Sequence, residues 1–301
     1  MSIAEKSFRN SEVIIKEGET GFSFFQILEG GVFVYAGFGK DDQIKLATLE
    51  EGEYFGEMAI LEEYPRSATI IAKGNVRVLE IHESDLKAYL EEDPSRIKKL
   101  LTHLSDRVES MTRDYKEAEE LLGQLREADE PKKKSLFSKL KKHVDIYQSN
   151  KVELPAPSAE PLRSAAEAFS EEGSGELVAY NACNVISLAG ETEDSMFVIY
   201  EGRVGLYEDF GEMNEKLVEE LRPISFFGER GLVAEEPRAL TAVAETDNTC
   251  VEIIRPDDLE SIFRNCPVKI EYILRSMSYR LRKLNVDFLD TCREITALYN
   301  K

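Results

Sequence analysis

At 301 residues the chain can hold two ordinary domains, each with its own core. Its 42 % hydrophobic and 9 % aromatic content is globular, and a net charge of −20 excludes binding of the whole chain to nucleic acid, which would repel it. The four cysteines (Cys183, Cys250, Cys266, Cys292) form no CxxC pair, which excludes a disulfide framework or a zinc site and fits reduced thiols in a cytoplasmic protein.

The opening "MSIAEKSFRN" has no apolar segment of a secretory leader, and no apolar run approaches the about 18 residues of a membrane span. From there the first part reads as β. "EVIIKEG" (12–18), "SFFQILEG" (23–30), "GVFVYAGF" (31–38) and "QIKLATL" (43–49) are short β-branched or aromatic runs broken by Gly and acidic turns. Strands at this spacing predict a sandwich or a barrel. The period then changes. Apolar residues fall at Leu101, Leu104, Val108, Met111, Tyr115, Ala118, Leu122 and Leu125, in alternating steps of three and four, which predicts a long helix with heptad patterning.

A different composition comes next. "DEPKKKSLFSKLKKH" sets Lys132, Lys133, Lys134, Lys139, Lys141 and Lys142 around Leu136, Phe137 and Leu140, and its "KKKSL" resembles a basic-directed kinase site. The segment reads as a solvated spacer or as a contact for an anionic surface. Pro155, Pro157 and Pro161 then give a stiff, extended linker. Beyond it the first part is written again. Gly18-Glu19-Thr20 returns as Gly190-Glu191-Thr192, Phe55-Gly56-Glu57 as Phe227-Gly228-Glu229, and Pro65-Arg66 as Pro237-Arg238, always 172 residues on. The second copy ends in its own helical stripe, Leu274, Met277, Leu281, Leu284, Phe288, Thr291, Ile295 and Leu298. The predicted organisation is a first domain over 1–128, a linker over 129–162 and a second domain over 163–301. The two stripes can pack on their own sheets, pair within the chain as a pseudo-dimer, or pair between chains in a homodimer.

The repeated phrase carries the chemistry. Gly56 lets the backbone approach a ligand with no β-carbon in the way, and "EMAIL" behind it favours a helical turn with outward N–H groups, which suits an anion. Arg66 can grip phosphate oxygens through paired N–H bonds. Glu57, acceptor-only when ionised, suits a sugar hydroxyl instead. Phosphate and ribose read by one loop are the demands of a nucleotide. The plain alternative is a Glu57–Arg66 loop closure, worth only about 0–1 kcal/mol at a surface. If the loop is built for a ligand, these side chains should face a cavity rather than be clamped onto protein neighbours.

At these residues the chain resembles the cyclic-nucleotide-binding domain, shared by regulatory subunits of cyclic-AMP-dependent protein kinase, cyclic-GMP-dependent kinases and catabolite-activator-type regulators. The family cassette appears as Phe55-Gly56-Glu57-Met58-Ala59-Ile60 with Pro65-Arg66-Ser67-Ala68, and again as Phe227-Gly228-Glu229-Arg230-Gly231-Leu232 with Pro237-Arg238-Ala239-Leu240. The resemblance implies an α+β fold of two jelly-roll-like β-barrels, each followed by long helices. It implies ligand contacts from Phe55, Gly56, Glu57, Met58, Ala59, Arg66, Ser67 and Ala68 in the first copy. In the second it implies them from Phe227, Gly228, Glu229, Arg230, Gly231, Arg238 and Ala239. The Arg would hold the cyclic phosphate, the Glu the ribose 2′-hydroxyl, and a helix after the barrel would report occupancy by moving. Ser67 offers a hydroxyl that in the family accompanies a preference for guanine. Leu240, where a small Ala is usual, and Arg230, at a usually apolar position, set the second copy apart.

No kinase Gly-rich loop or catalytic Asp motif is present, and His82, His103 and His143 sit in separate elements, so neither catalysis nor a metal cofactor is expected. No recognition helix comes after Leu298, so DNA is not an expected partner. Two readings remain. One is a cytoplasmic sensor whose ligand is cyclic AMP or cyclic GMP and whose output is an unnamed protein effector. The other is a scaffold or dimerisation protein that keeps the fold without binding nucleotide.

Overall fold

The computed structural model describes residues 3–41, 43–60, 64–127, 141–146, 148, 154–156, 176–234 and 236–299. Most of the basic spacer, Pro157 and Pro161 lie outside the described residues. The chain divides into two compact units, 1–89 with 106–159 and 275–301, and 90–105 with 160–274. Residues 275–301, which the repeat places in the second copy, thus group with the first.

The first unit is built on two long antiparallel strands, β4 (Ser23–Ala36) and β8 (Thr69–His82). Their register shifts between Ile27 and Glu29 and again between Glu29 and Gly31, so each strand serves two layers. In one layer β1 (Ala4–Phe8) pairs with the Val76–Glu80 stretch of β8, and β6 (Tyr54–Phe55) with Phe25 and Gln26 of β4. In the other, β2 (Val13–Ile15) pairs with Ile70 and Ile71 of β8, and β5 (Ile44–Leu49) with Val32–Ala36 of β4. The switch requires glycine at its corner: Gly30 has φ +82°, and a β-carbon there would meet Asn75 O at 2.5 Å. Side chains alternating inward from both layers, among them Ile15, Phe25, Ile27, Val32, Phe55, Ile70 and Val78, form the core.

The second unit repeats this with the long strands broken. β11 (Met196–Glu201) and β12 (Val204–Glu208) stand for β4, and β15 (Thr241–Ala244) and β16 (Thr249–Ile254) for β8. The two layers become separate four-stranded sheets, β14 (Phe226–Phe227)-β11-β16-β9 (Glu176–Tyr180) and β10 (Val185–Ser187)-β15-β12-β13 (Lys216–Leu221). This corrects the expected barrels: each layer ends on edge strands, and among the described residues strand pairing does not close into a ring. Three-residue β2 and β10 and two-residue β6 and β14 are too short to carry the pairing around the corner.

Helices around these sheets include α1 (Leu86–Glu92), α2 (Ser95–Glu127), α3 (Glu229–Ala234), α4 (Leu259–Asn265) and α5 (Pro267–Tyr299). α2 and α5 are long, as the period predicts, but their buried faces are broader than a heptad seam. Ile97, Leu100 and Leu121 on α2 and Ile270, Ile273, Ser278, Arg282 and Cys292 on α5 are buried beside the stripe residues. Within the first unit Ala118, Leu121, Leu122 and Leu125 share one cluster with Val144, Phe288, Cys292 and Ile295. The two stripes therefore meet inside one chain. Cys292 is fully buried there, and burial pushes its thiol up to about 12. A short iodoacetamide pulse at pH 8, read by peptide mapping, will alkylate exposed Cys183 and leave Cys292 untouched until denaturant is added. Equal early labelling of both would show that the helical cluster is open.

Candidate functional site

Each cassette starts from an aromatic anchor. Phe55 stacks on Phe25 with centroids 5.0 Å apart, and Phe227 stacks on Phe197 at 4.9 Å, the same pair in both copies. Tyr54 beside Phe55 meets Tyr89 of α1, hydroxyl to hydroxyl at 3.1 Å, and Tyr89 donates to Gln26. The chain then turns at Gly56 (φ +75°) and Gly228 (φ +78°), where a β-carbon would strike Nη1 of Arg66 at 2.8 Å and of Arg238 at 2.5 Å. Only glycine lets each arginine lie against the turn.

In the first copy the turn continues into a single 3₁₀ turn, Glu57–Ile60, with all four residues buried. β7 (Tyr64–Pro65) then pairs with β3 (Thr20–Gly21), and Arg66 N donates to Glu19 O at 2.9 Å while Arg66 O accepts from Gly18 N at 2.9 Å. The backbone of Arg66 is thereby fixed by the Gly18-Glu19 turn, which explains why both phrases recur together. The guanidinium donates through Nη2 to Ser23 O at 2.7 Å and through Nη1 to Gly56 O at 3.3 Å. Burial lowers its pKa from the ordinary value, with Glu57 and Glu80 pulling the other way. It stays charged at any physiological pH. Ser67 and Ala68 are half-buried at the end of the loop.

Glu57 is 6 % exposed and lies 3.5 Å from Nε of Arg107 on α2. The turn is gripped from its other side by α5. Ser278 Oγ donates to Glu57 O at 3.0 Å, and Nε and Nη2 of Arg282 both donate to Met58 O. The guanidinium of Arg282 also lies 4.2 Å above the Tyr64 ring, and both side chains are fully buried. Met58, Tyr64, Val108 and Leu281 complete an apolar cluster around this contact.

The second copy keeps the arginine's two main-chain acceptors and changes the turn around them. Glu229, Arg230 and Gly231 open α3, a short helix rather than a 3₁₀ turn. Arg230 turns to Glu236, so its guanidinium is held within the loop. Arg238 is buried and donates to Gly228 O at 2.8 Å, Ser195 O at 2.7 Å and Ser195 Oγ at 2.9 Å, while Glu193 Oε2 lies 3.6 Å from its Nη2. Ala239 is exposed and Leu240 half-buried. A cavity of 590 Å³ in this unit is lined by residues including Tyr180, Thr192, Glu193, Asp194, Ser195 and Arg255, but by none of the predicted cassette residues.

Both cassette arginines are thus bonded to main-chain carbonyls of their own unit. Sequence reasoning found the turn, the glycine and the arginine of each copy, and missed Arg107, Glu193, Ser195, Ser278 and Arg282. Ser278, Arg282 and Asn285 are buried one position beyond Met277, Leu281 and Leu284 of the α5 stripe, so the stripe itself did not signal them. Among the described residues no group of three or more His, Cys, Asp or Glu side chains could hold a metal ion, and no helix is long and apolar enough to cross a membrane.

Comparison with known proteins matches the cyclic nucleotide-binding domain model at residues 5–93 and 177–266. The cAMP-dependent protein kinase regulatory subunit of Dictyostelium discoideum is 24 % identical over 85 % of this chain and 64 % of its own length. A cGMP-dependent protein kinase of Plasmodium berghei is 25 % identical over 82 % of this chain and 22 % of its own. The chain therefore spans less than two thirds of the length of either relative. The solved structure of cAMP-bound PfPKA-R is 17 % identical and covers 89 % of this chain and 74 % of that one, at a TM-score of 0.35. Over half of its length and in two tandem copies, each with its own turn, glycine and arginine, this chain belongs to the cyclic nucleotide-binding domain family.

Proposed function

We propose that the chain is a cytoplasmic cyclic-nucleotide sensor that catalyses nothing itself and passes occupancy of its first cassette to a protein effector through α5. In this reading Arg66 takes the cyclic phosphate and Glu57 the ribose hydroxyl, with Gly56, Met58, Ala59, Ser67 and Ala68 shaping the loop and Phe55 anchoring it. The observation that carries the reading is the grip of Ser278 and Arg282 on Glu57 O and Met58 O. A phosphate competes for the same Nη donors that Arg66 now gives to Ser23 O and Gly56 O, and charge-assisted bonds to phosphate are roughly twice as strong as neutral ones. Recruiting Arg66 shifts the turn it lies against, and the buried α5 contact moves with that turn. Ligand drives such a change only by binding one arrangement better than the other.

The engagement of both arginines by protein acceptors favours the second reading, a scaffold that keeps the fold without binding nucleotide. Arg282→Met separates the two. It removes the hold on the Arg66-engaged arrangement, so the sensor should bind cyclic AMP or cyclic GMP at least fivefold more tightly by isothermal titration, within the range of ordinary coupling energies of about 1–3 kcal/mol. A scaffold gives no binding heat before or after the change, and unchanged affinity would disconnect α5 from the cassette.

A further inference from the structure

The two cassettes differ at a pair of positions outside their motif. In register, the first copy has Gly21 and Ala59 where the second has Glu193 and Gly231. Each arginine lies over the glycine of its own pair. A β-carbon on Gly21 would stand 2.4 Å from Arg66 Nη2, and one on Gly231 would stand 2.5 Å from Arg238 Nη1 and 2.4 Å from Glu193 O. The two guanidinia keep equivalent main-chain acceptors, Ser23 O and Gly56 O in one copy and Ser195 O and Gly228 O in the other, but lie over different glycines, and the second has a carboxylate beside it.

That carboxylate changes the chemistry. Glu193 Oε2 is 3.6 Å from Arg238 Nη2, and the same guanidinium is bonded to Gly228 O, Ser195 O and Ser195 Oγ. In the first copy, among the described residues, no carboxylate oxygen lies within 4.0 Å of Arg66, whose donors meet only two main-chain carbonyls. A cyclic phosphate diester carries one negative charge. At the first cassette it meets an arginine on which Glu57 and Glu80 act from beyond ion-pair distance; at the second a carboxylate is already beside the guanidinium and would repel it.

We propose that Glu193 is an intramolecular substitute for the ligand phosphate, so that the chain takes one cyclic nucleotide, at its first cassette, and keeps the second closed. The proposal rests on the sensor reading for the first cassette but makes its own prediction for the second. Glu193 is half-exposed, so Glu193→Gln removes the charge at nearly constant volume without threatening the fold.

Isothermal titration of the full chain with cyclic AMP and cyclic GMP tests it. One equivalent should bind, and Arg66→Glu should abolish it. Glu193→Gln should add a second equivalent, or tighten a marginal one at least tenfold, and Arg238→Glu in that background should remove it. Two equivalents in the unaltered chain, or an unchanged single equivalent in Glu193→Gln, overturns the proposal. If the unaltered chain binds nothing while Glu193→Gln binds one equivalent that depends on Arg238, the role of Glu193 stands and the sensor reading of the first cassette fails.

Discussion

Arg66→Glu will weaken binding of cyclic nucleotide at the first cassette by at least about a hundredfold and abolish ligand-induced thermal stabilisation. Truncating one partner of a buried charge pair costs about 2–5 kcal/mol, and every 1.4 kcal/mol is tenfold in affinity. Reversal adds repulsion from Glu57, which already acts electrostatically on Arg66. The substitution also takes a donor from Ser23 O and Gly56 O, the latter of which keeps its bond from Ala59 N, so a fold cost of about 1–3 kcal/mol accompanies it. Arg66→Lys separates the two effects, because lysine keeps the charge and loses the planar fork. It should melt close to the unaltered chain and still bind at least tenfold more weakly. Ligand-induced stabilisation that survives Arg66→Glu would remove Arg66 from the site and leave the scaffold reading.

The second large effect concerns stability. Lys269 at the start of α5 and Glu252 on β16 are both fully buried, with Nζ 2.7 and 2.9 Å from the two carboxylate oxygens. Tyr200 donates to the same carboxylate at 2.8 Å, and burial together with that bond raises the phenol's pKa well above its ordinary value. Lys269→Met takes the buried ammonium away from the Glu252 carboxylate, which keeps the bond from Tyr200. Breaking one member of such a pair costs about 3–5 kcal/mol, whereas replacing both by apolar groups is often neutral. The melting transition of the second unit should fall by roughly 10 °C, at about 2–4 °C per kcal/mol for a unit of this size. Lys269→Met combined with Glu252→Leu should recover most of the loss. A single substitution that costs less than about 1 kcal/mol would mean that the pair is hydrated, not buried.

Both substitutions bear on α5. Lys269 ties the start of the helix to the sheet of its own copy, and Ser278 and Arg282, about three turns on, tie it to the first cassette. The helix is thus fastened by buried polar contacts whose loss is costly, not by apolar contact alone. Such contacts have discrete partners, so they can be exchanged rather than gradually loosened. This is the physical ground for placing the output of the sensor on α5.

Much of this was already written in the order of residues. A repeat held at a constant 172-residue offset through turns and strands fixes two copies of one fold, because loops do not keep register by chance. Gly56 and Gly228 mark the left-handed turns, the Phe of each cassette its anchor, and the change of period the move from strands to long helices. These are local features, set by backbone sterics and by which side of an element faces the core. The layers in place of closed barrels, the partners of both arginines and the carboxylate beside Arg238 were decided only in three dimensions. Ser278 meets Glu57 across 221 residues and Arg282 meets Met58 across 224. Periodicity says which side of a helix is buried, but the backbone oxygen that a buried guanidinium finds there depends on how distant segments pack.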